Sequence, residues 1–312
     1  MNAKSFFPVV SVIIPVHGDA PYLISTIQSI QEQDFKEFET LIILDRASED
    51  IERYARDLTL SSENTKVFLS KLPGISQALN LGIRESSGEL IARIDADDLM
   101  RKDRLSLQKA FLEKHPKVVC VGSQVTKINV DGIVIGKSNY PANNKEIART
   151  LLFRNCLAHP SVMYRRSSIV EAGGYRPEFD GVEDYDLWLR LSMTGQIRNI
   201  NARLTSYRVW ENQITSKKKH LTAENANRSR HSLQDFSDNW MRLSKFEKSN
   251  WLMSAEYFNK SLENFRDSGR RLSAFQSLLI SFKLTPLLTS RICASYTLNY
   301  FSACIRSWNR EN

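Results

Sequence analysis

Between residue 9 and about residue 115, short β-rich runs alternate four times with segments of helical periodicity, and few architectures accept that order. Residues 9–16 are almost continuously apolar, as expected of a parallel strand covered on both faces. Pro21 can open a helix through residue 33, with Leu23, Ile27 and Ile30 on one face. Strands are expected over residues 38–44, 66–70 and 90–94. Between them, Ser48 is placed to cap a helix running to Leu60, and Gly74 precedes a helix with Ile75, Leu79 and Ile83 on one stripe. A fourth helix is expected over residues 102–115. Such alternation predicts an α/β fold built on a mostly parallel, doubly wound sheet with right-handed crossovers. Ligands in these sheets bind beyond the carboxyl ends of the strands, so the residues just after each strand are the ones that matter.

From residue 118 the pattern changes to a hairpin over residues 118–135, with Asp131-Gly132 as its turn. A helix over residues 144–153, a strand over 161–164 and a helix over 183–194 follow. Beyond about residue 215 the sequence opens on Lys217-Lys218-Lys219 and then reads as helical. The expected division is therefore an α/β domain over residues 1–215 and a helical C-terminal region over 216–312. In the last helix Leu288, Ile292, Tyr296, Tyr300, Cys304 and Trp308 recur at i+4, with Arg291 and Arg306 off the stripe. That stripe suits either a membrane surface or packing on the domain before it.

Composition narrows the classes. At 312 residues, 42% hydrophobic and 25% charged, the chain has an ordinary globular make-up, and its net charge of +8 favours anionic ligands. Pro8 and Pro15 interrupt the N-terminal apolar run and no small-residue cleavage site follows, so it reads as a first strand rather than a signal peptide. No segment reaches the ~18 uncharged apolar residues of a membrane span. The expected location is cytoplasmic, at most peripheral on the inner face of the cytoplasmic membrane. Cys120, Cys156, Cys293 and Cys304 lack metal-site spacing and read as reduced core thiols. Basic residues are not interleaved with aromatics as in an RNA-binding sheet, so nucleic acid is not an expected partner.

Three acidic clusters could carry chemistry. Asp95 and Asp97 flank Ala96 at the end of the fourth strand, where alternate side chains point the same way. Two hard oxygen ligands there suit Mn²⁺ or Mg²⁺ with positions open for phosphate. Asp98 is placed to cap the turn that follows. Met100 stands where a calcium loop of the EF-hand type needs glycine, and the chain holds neither GxGxxG nor GxxxxGK[ST]. A bound diphosphate must then rely on a metal. Asp45, ending the second strand, can accept a hydrogen bond from a base edge or serve only as a turn residue. Glu183-Asp184 opens a helix, where acids suit the macrodipole, and Asp184 there can act as a general base. Arg93, Arg165 and Arg166 are candidate phosphate or acceptor contacts, or structural ion pairs.

The order of these motifs resembles family 2 glycosyltransferases, the inverting group with the GT-A fold, which implies an α/β doubly wound mixed sheet, here with a helical C-terminal region. Val10-Ser11-Val12-Ile13-Ile14-Pro15 resembles the family's opening strand, and Leu44-Asp45-Arg46-Ala47-Ser48-Glu49-Asp50 its second-strand nucleotide motif. The segment from Gly74 to Ile83, followed by Gly88-Glu89, is similar to its third-helix signature. Asp95-Ala96-Asp97 resembles its DxD metal motif; His159-Pro160-Ser161, Gly173-Gly174-Tyr175 and Glu183-Asp184 resemble its acceptor half. The resemblance spans residues 9–212.

It implies a donor site drawing on Pro15, His17, Asp45, Asp95 and Arg93, and a divalent metal, Mn²⁺ or Mg²⁺, on Asp95 and Asp97. It implies an acceptor site with Glu183, Trp188 and His159 around the base Asp184. The activity implied is inverting transfer of a hexose or N-acetylhexosamine from a nucleotide-sugar, usually a UDP-sugar. The acceptor implied is a hydroxyl of a glycan or lipid-linked saccharide, in bacterial surface polysaccharide synthesis. Two positions depart from the family pattern: Arg46 stands where a second acid or small residue is common, and Trp210 where a histidine often joins the metal. No QxxRW occurs, which points to single additions rather than processive synthesis. A sugar nucleotidyltransferase is the first alternative, but His17-Gly18-Asp19-Ala20 supplies no basic glycine-rich loop. A non-catalytic glycan- or membrane-binding scaffold is the second.

Overall fold

The architecture is that of a computed structural model, which describes residues 8–151 and 154–210. The expectations for residues 216–312, the amphipathic stripe included, lie outside the described residues.

In chain order the elements begin β1 (Val10–Gly18), α1 (Leu23–Gln31), β2 (Phe38–Ala47), α2 (Glu49–Ser61), β3 (Thr65–Leu69), α3 (Ile75–Glu85), β4 (Leu90–Arg93) and β5 (Leu99–Met100). They continue with α4 (Arg104–Lys114), β6 (Val118–Ile128), β7 (Val134–Lys137), α5 (Asn144–Leu151), β8 (Met163–Arg165), α6 (Arg166–Glu171), α7 (Glu183–Thr194) and β9 (Gln196–Arg208). Among the described residues these strands form one nine-stranded sheet in the order β3-β2-β1-β4-β8-β6-β9-β5, with β7 paired to β6.

The first half is the parallel sheet that the apolar runs predict: β1 lies between β2 and β4, both parallel to it. Val10, Val12, Ile13, Ile14 and Val16 are all buried, because helices cover both faces of this strand. α1 buries Leu23, Thr26, Ile27 and Ile30, and α3 buries Ala78, Leu79 and Ile83. The loop into β4 runs so close to β1 that a Cβ on Gly88 would lie 2.8 Å from the Ser11 amide nitrogen, which explains the glycine. The chain order reverses between β1 and β4, and a doubly wound sheet opens its ligand crevice at the carboxyl ends of such a pair.

The second half makes the sheet mixed, as the resemblance to the GT-A fold implies. β8 runs antiparallel to both β4 and β6. The long strand β9, which no sequence pattern announces, pairs parallel with β6 and returns past β5 to the end of β4. The hairpin forms as expected, with Gly132 at positive φ and its N–H donating to the Asn129 carbonyl at 3.1 Å. Ser48 occupies the N-cap position of α2 but makes no side-chain cap bond. Asp98 does not cap the next helix, whose N-cap position is Asp103. The Asp98 carboxylate is instead buried and accepts the Arg208 N–H of β9 at 2.7 Å.

Candidate active site

Three strand ends converge on one edge. In register, His17 lies opposite Asp45 across β1 and β2, and Ile13 opposite Arg93 across β1 and β4. The ends of β1, β2 and β4 therefore present His17, Asp45 and Asp95 along the same rim. Pro15 is partly covered within β1, and the exposed His17 ring holds the Asp45 carbonyl oxygen through Nδ1 at 2.8 Å.

The Asp45 side chain is buried, yet its carboxylate is well supplied with donors. Arg46 Nε donates to Oδ1 at 3.1 Å, Arg46 Nη2 to Oδ2 at 3.3 Å and the Gly74 N–H to Oδ2 at 3.1 Å. Burial acts to raise its pKa, but Arg46 and Gly74 outweigh that and hold it below the ordinary carboxylate range. Gly74 has φ +115, and a Cβ there would lie 2.5 Å from Asp180 Oδ2. Asp180 in turn accepts the Ser76 N–H at 3.2 Å. Two amides at the start of α3 are thus already committed to carboxylates, which leaves that helix end poorly suited to a phosphate.

After β4 the chain turns through Asp95, Asp97 and Asp98, whose carboxylate oxygens lie within 4.8 Å of one another. Each is held differently. Asp95 forms a two-point ion pair with Arg93, whose Nη1 lies 2.7 Å from Oδ2. Asp97 Oδ2 accepts the Trp210 indole N–H at 2.8 Å, and the Asp97 carbonyl accepts from Arg208 Nε at 2.9 Å. Asp98 keeps one buried oxygen, Oδ2, without a hydrogen-bond partner. Burial, and after it the charges of Asp95 and Asp97, push its pKa well above the ordinary value. Three crowded carboxylates with an orphaned buried oxygen form an all-oxygen set that a hard divalent cation fits.

Arg93 joins this cluster to the acidic start of α7. Its side chain is almost fully buried, so it meets Asp95 from beneath rather than reaching a ligand from the surface. Its charge also acts on Glu183 and Asp184. A second buried cation, Arg104, donates to the carbonyls of Pro160, Arg93 and Val162 at 2.7, 2.8 and 3.0 Å, fixing the end of β4 against β8. Burial depresses the Arg104 pKa to about 9.

Asp184 is partly buried. Oδ1 accepts the Tyr185 N–H at 2.7 Å and Oδ2 accepts Asn155 Nδ2 at 2.5 Å. Burial raises its pKa, although both of these donors oppose the rise. Glu183 is pushed up by burial and then by Asp184, so of two neighbouring acids one is driven towards its neutral form. His159 lies under Glu183, with Nδ1 3.8 Å from Oε1 and Nε2 2.8 Å from the Tyr175 hydroxyl. Burial, then Arg93, pulls the His159 pKa well below its ordinary value, so the ring is neutral. Trp188 is fully buried and meets the His159 ring edge-on at 5.7 Å. His159 and Trp188 therefore form the floor beneath Glu183, and any acceptor contact through Trp188 must be indirect.

Asp186, two residues after Asp184, points into a buried network in which Arg176 Nε, Arg190 Nε and Arg190 Nη2 donate to Oδ2 at 3.0, 3.0 and 2.7 Å. It holds α7 against the loop carrying Gly174, whose carbonyl also accepts from Arg190 at 2.7 Å. Asp186→Ala strands two arginines and is expected to cost about 3–5 kcal/mol of stability. The measurement is a urea midpoint that falls at unchanged slope. An unshifted midpoint would show that the network contributes nothing.

Asn155, Trp210 and Arg208 complete the site, and no local sequence pattern marks Asn155 or Arg208. Trp210 stood out only as a departure from a family pattern. In the structure its indole fixes Asp97 and meets Tyr22 edge-on at 6.1 Å, while the Arg208 guanidinium lies 4.1 Å from the Tyr22 ring centre. Burial raises the pKa of the Cys156 thiol to about 12 and that of the Cys120 thiol further, so neither is a poised nucleophile.

This arrangement has relatives. Residues 11–174 match the sequence model of glycosyl transferase family 2. The chain is 32% identical over 257 residues to the Escherichia coli O-antigen biosynthesis glycosyltransferase WbnJ, covering 81% of this chain and 96% of that one. It is 27% identical over 194 residues to the Erwinia amylovora amylovoran biosynthesis glycosyltransferase AmsE, covering 62% and 72%. Among solved structures, S. aureus TarS 1-349 in complex with UDP-GlcNAc superposes with a TM-score of 0.63 at 17% identity, over 89% of this chain and 81% of that one. Mannosyltransferase PcManGT from Pyrobaculum calidifontis, in complex with GDP-Man and Mn²⁺, gives a TM-score of 0.59 at 17% identity, over 97% and 84%.

Proposed function

The chain belongs to glycosyl transferase family 2, and from that premise we propose that it moves a sugar from a nucleotide-sugar to an acceptor hydroxyl with inversion at the anomeric carbon. The observation that carries the reading is the pairing of sites: an all-carboxylate cluster at the end of β4 and an acid pair opening α7, with buried Arg93 between them. A GT-A sheet with both is equipped to hold a diphosphate on one side and deprotonate a nucleophile on the other.

In this reading Asp45 and His17 sit at the base end of the donor and Asp95 and Asp97 at the diphosphate end. Asp95 and Asp97, with Asp98 behind them, would hold a divalent cation, Mn²⁺ or Mg²⁺; when bound, it supplies positive charge against the diphosphate as that group departs. Asp184 accepts the proton of the acceptor hydroxyl, whose oxygen attacks the anomeric carbon from the face opposite the diphosphate. Asn155 and the Tyr185 amide keep the Asp184 carboxylate aimed and favour its charged form. Fixing donor and acceptor in line supplies much of the rate. WbnJ and AmsE are named for O-antigen biosynthesis and amylovoran biosynthesis, which supports a glycan or lipid-linked saccharide as acceptor. TarS and PcManGT were solved with UDP-GlcNAc and GDP-Man, which supports a nucleotide-sugar donor. We take residues 1–215 as the catalytic unit and residues 216–312 as a region appended to it, whose amphipathic stripe suits either a membrane surface or packing on the catalytic unit. Among the described residues no helix is long and apolar enough to cross a membrane.

The test is a donor panel: hydrolysis and transfer from UDP- and GDP-hexoses and UDP-N-acetylhexosamines, each with Mn²⁺, with Mg²⁺ and with EDTA. Turnover of at least one donor, lost in EDTA, is expected. A chain that binds glycans but turns over no donor would instead be a scaffold.

A further inference from the structure

The hairpin of β6 and β7 ends in an apolar tip. Val130, Ile133, Val134 and Ile135 are each between 46% and 62% exposed. A single exposed hydrophobic side chain is ordinary, but four within six residues form a patch of the kind that marks an interaction surface. Val134 and Ile135 are successive residues of β7, so they stand on opposite faces of the hairpin. A flat partner covers one face only. A medium that surrounds the tip covers both.

The backbone of the turn suits such a medium. Asn129 Oδ1 accepts the Asp131 and Ile133 N–H groups at 3.1 and 2.8 Å, and the Asn129 carbonyl accepts the Gly132 N–H at 3.1 Å. The Asn129 N–H donates to the Ile133 carbonyl at 2.9 Å. From the other side Arg208 Nη1 donates to the carbonyls of Asn129 and Val130 at 3.0 and 2.9 Å. The N–H groups of residues 131–133 are thus committed inside the fold, as backbone that leaves water requires. None of the three remains for pairing with the strand of a partner. Below the tip, Lys127 and Lys137 are exposed on the two strands, where Lys127 pairs with Gly136 and Lys137 with Thr126.

We propose that this tip seats the protein on a bilayer of anionic lipid. The four apolar side chains enter the headgroup region, and Lys127 and Lys137 meet the lipid phosphates. The net charge of +8 favours the same surface. Asp131, the only charged residue between Lys127 and Lys137, accepts Asn129 Nδ2 at 3.3 Å and confines the tip to headgroup depth. Arg208 also donates through Nε to the Asp97 carbonyl at 2.9 Å, so one side chain joins the tip to the carboxylate cluster. A saccharide acceptor carried on a lipid would then be presented beside that cluster. The proposal stands apart from the transfer reading, because bilayer binding needs neither donor nor acceptor.

The experiment is co-sedimentation of the full chain with vesicles of phosphatidylcholine, alone or mixed with phosphatidylglycerol. Wild type should bind the mixed vesicles more tightly, and less so in high salt. The double variant Ile133→Ser/Ile135→Ser should weaken that binding by about tenfold or more. Its melting curve and its UDP binding should match wild type, since both side chains are exposed. Lys127→Gln/Lys137→Gln should weaken binding to mixed vesicles by about tenfold and leave phosphatidylcholine alone unaffected. Equal vesicle binding by wild type and the serine variant would place any membrane contact elsewhere in the chain and overturn the proposal. So would a wild type that binds no vesicles. A serine variant that melts several degrees lower would show that the chain itself covers the patch, and a dimer that this variant dissolves would assign the patch to a second copy. Either result overturns the proposal. Loss of donor turnover with vesicle binding intact would count against the transfer reading alone.

Discussion

Asp97→Ala is expected to abolish transfer and to weaken UDP binding in Mn²⁺ buffer. The three carboxylates after β4 are not equivalent. Asp95 is already paired with Arg93, and Asp98 spends one oxygen on the Arg208 N–H. Asp97 is therefore the member whose charge falls most directly on a bound cation, and Trp210 and Arg208 hold its orientation from β9. Removing even an outer-shell partner of a metal ligand typically costs about 10–100-fold in affinity or activity. Loss of the ligand itself should exceed that. Calorimetry with UDP supplies the check: EDTA should bring wild type down to the level of the variant and leave the variant unchanged. Equal UDP binding by both proteins, with and without EDTA, would remove Asp97 from the metal site.

The parallel half of the sheet was legible because its strands are buried on both faces and so read as unbroken apolar runs. β9 was not. Its 13 residues, from Gln196 to Arg208, alternate few apolar positions with Arg198, Asn199, Asn201 and Arg203, and its register against β6 shifts three times. Nothing local marks such a segment as a strand; its place is set by its pairing with β6. The carboxylates of the site could be read for a related reason. Acids placed after strands or at a helix start have few roles, and their spacing survives in the sequence. Of their supporting cations, Arg93 stood out in the sequence as a candidate contact or ion pair, but Arg104 did not. Arg104 opens a helix, where the macrodipole disfavours a positive charge. What makes Arg93 tolerable is a local partner, Asp95 two residues on, whereas Arg104 depends on the distant carbonyls of Arg93, Pro160 and Val162. Asp186 shows the same limit from the other side. Its spacing from Asp184 suggests a bystander on the same helix, whereas Arg190 at i+4 and Arg176 from the loop before the helix make it structural.

Asp184→Asn separates catalysis from binding, and its expected effect is a fall in kcat of about 10²–10⁴, the usual contribution of a positioned general base. An asparagine at this position fills the same space but cannot take a proton from the acceptor hydroxyl. UDP binding should be retained, because Asp45, Asp95 and Asp97 lie on the other side of Arg93. The substitution has a structural cost that must be separated out. Both Asp184 oxygens accept from donors, Tyr185 N–H and Asn155 Nδ2, so the new amide meets one donor with another unless Asn155 flips. An unsatisfied group of that kind costs about 1–3 kcal/mol of stability, which a melting curve detects independently of rate. Asn155→Ala supplies the discriminating control through pH. A base works only when ionised, so the rate falls as pH drops through the Asp184 pKa, which burial has already raised above the carboxylate norm. Removing the Asn155 donor takes away a bond that favours the charged form. The acid limb of kcat/KM should then move to higher pH while the plateau is largely kept. A merely structural Asp184 would show no such movement, and near-normal turnover in Asp184→Asn would remove it as the base. Loss of UDP binding in that variant would move Asp184 to the donor site.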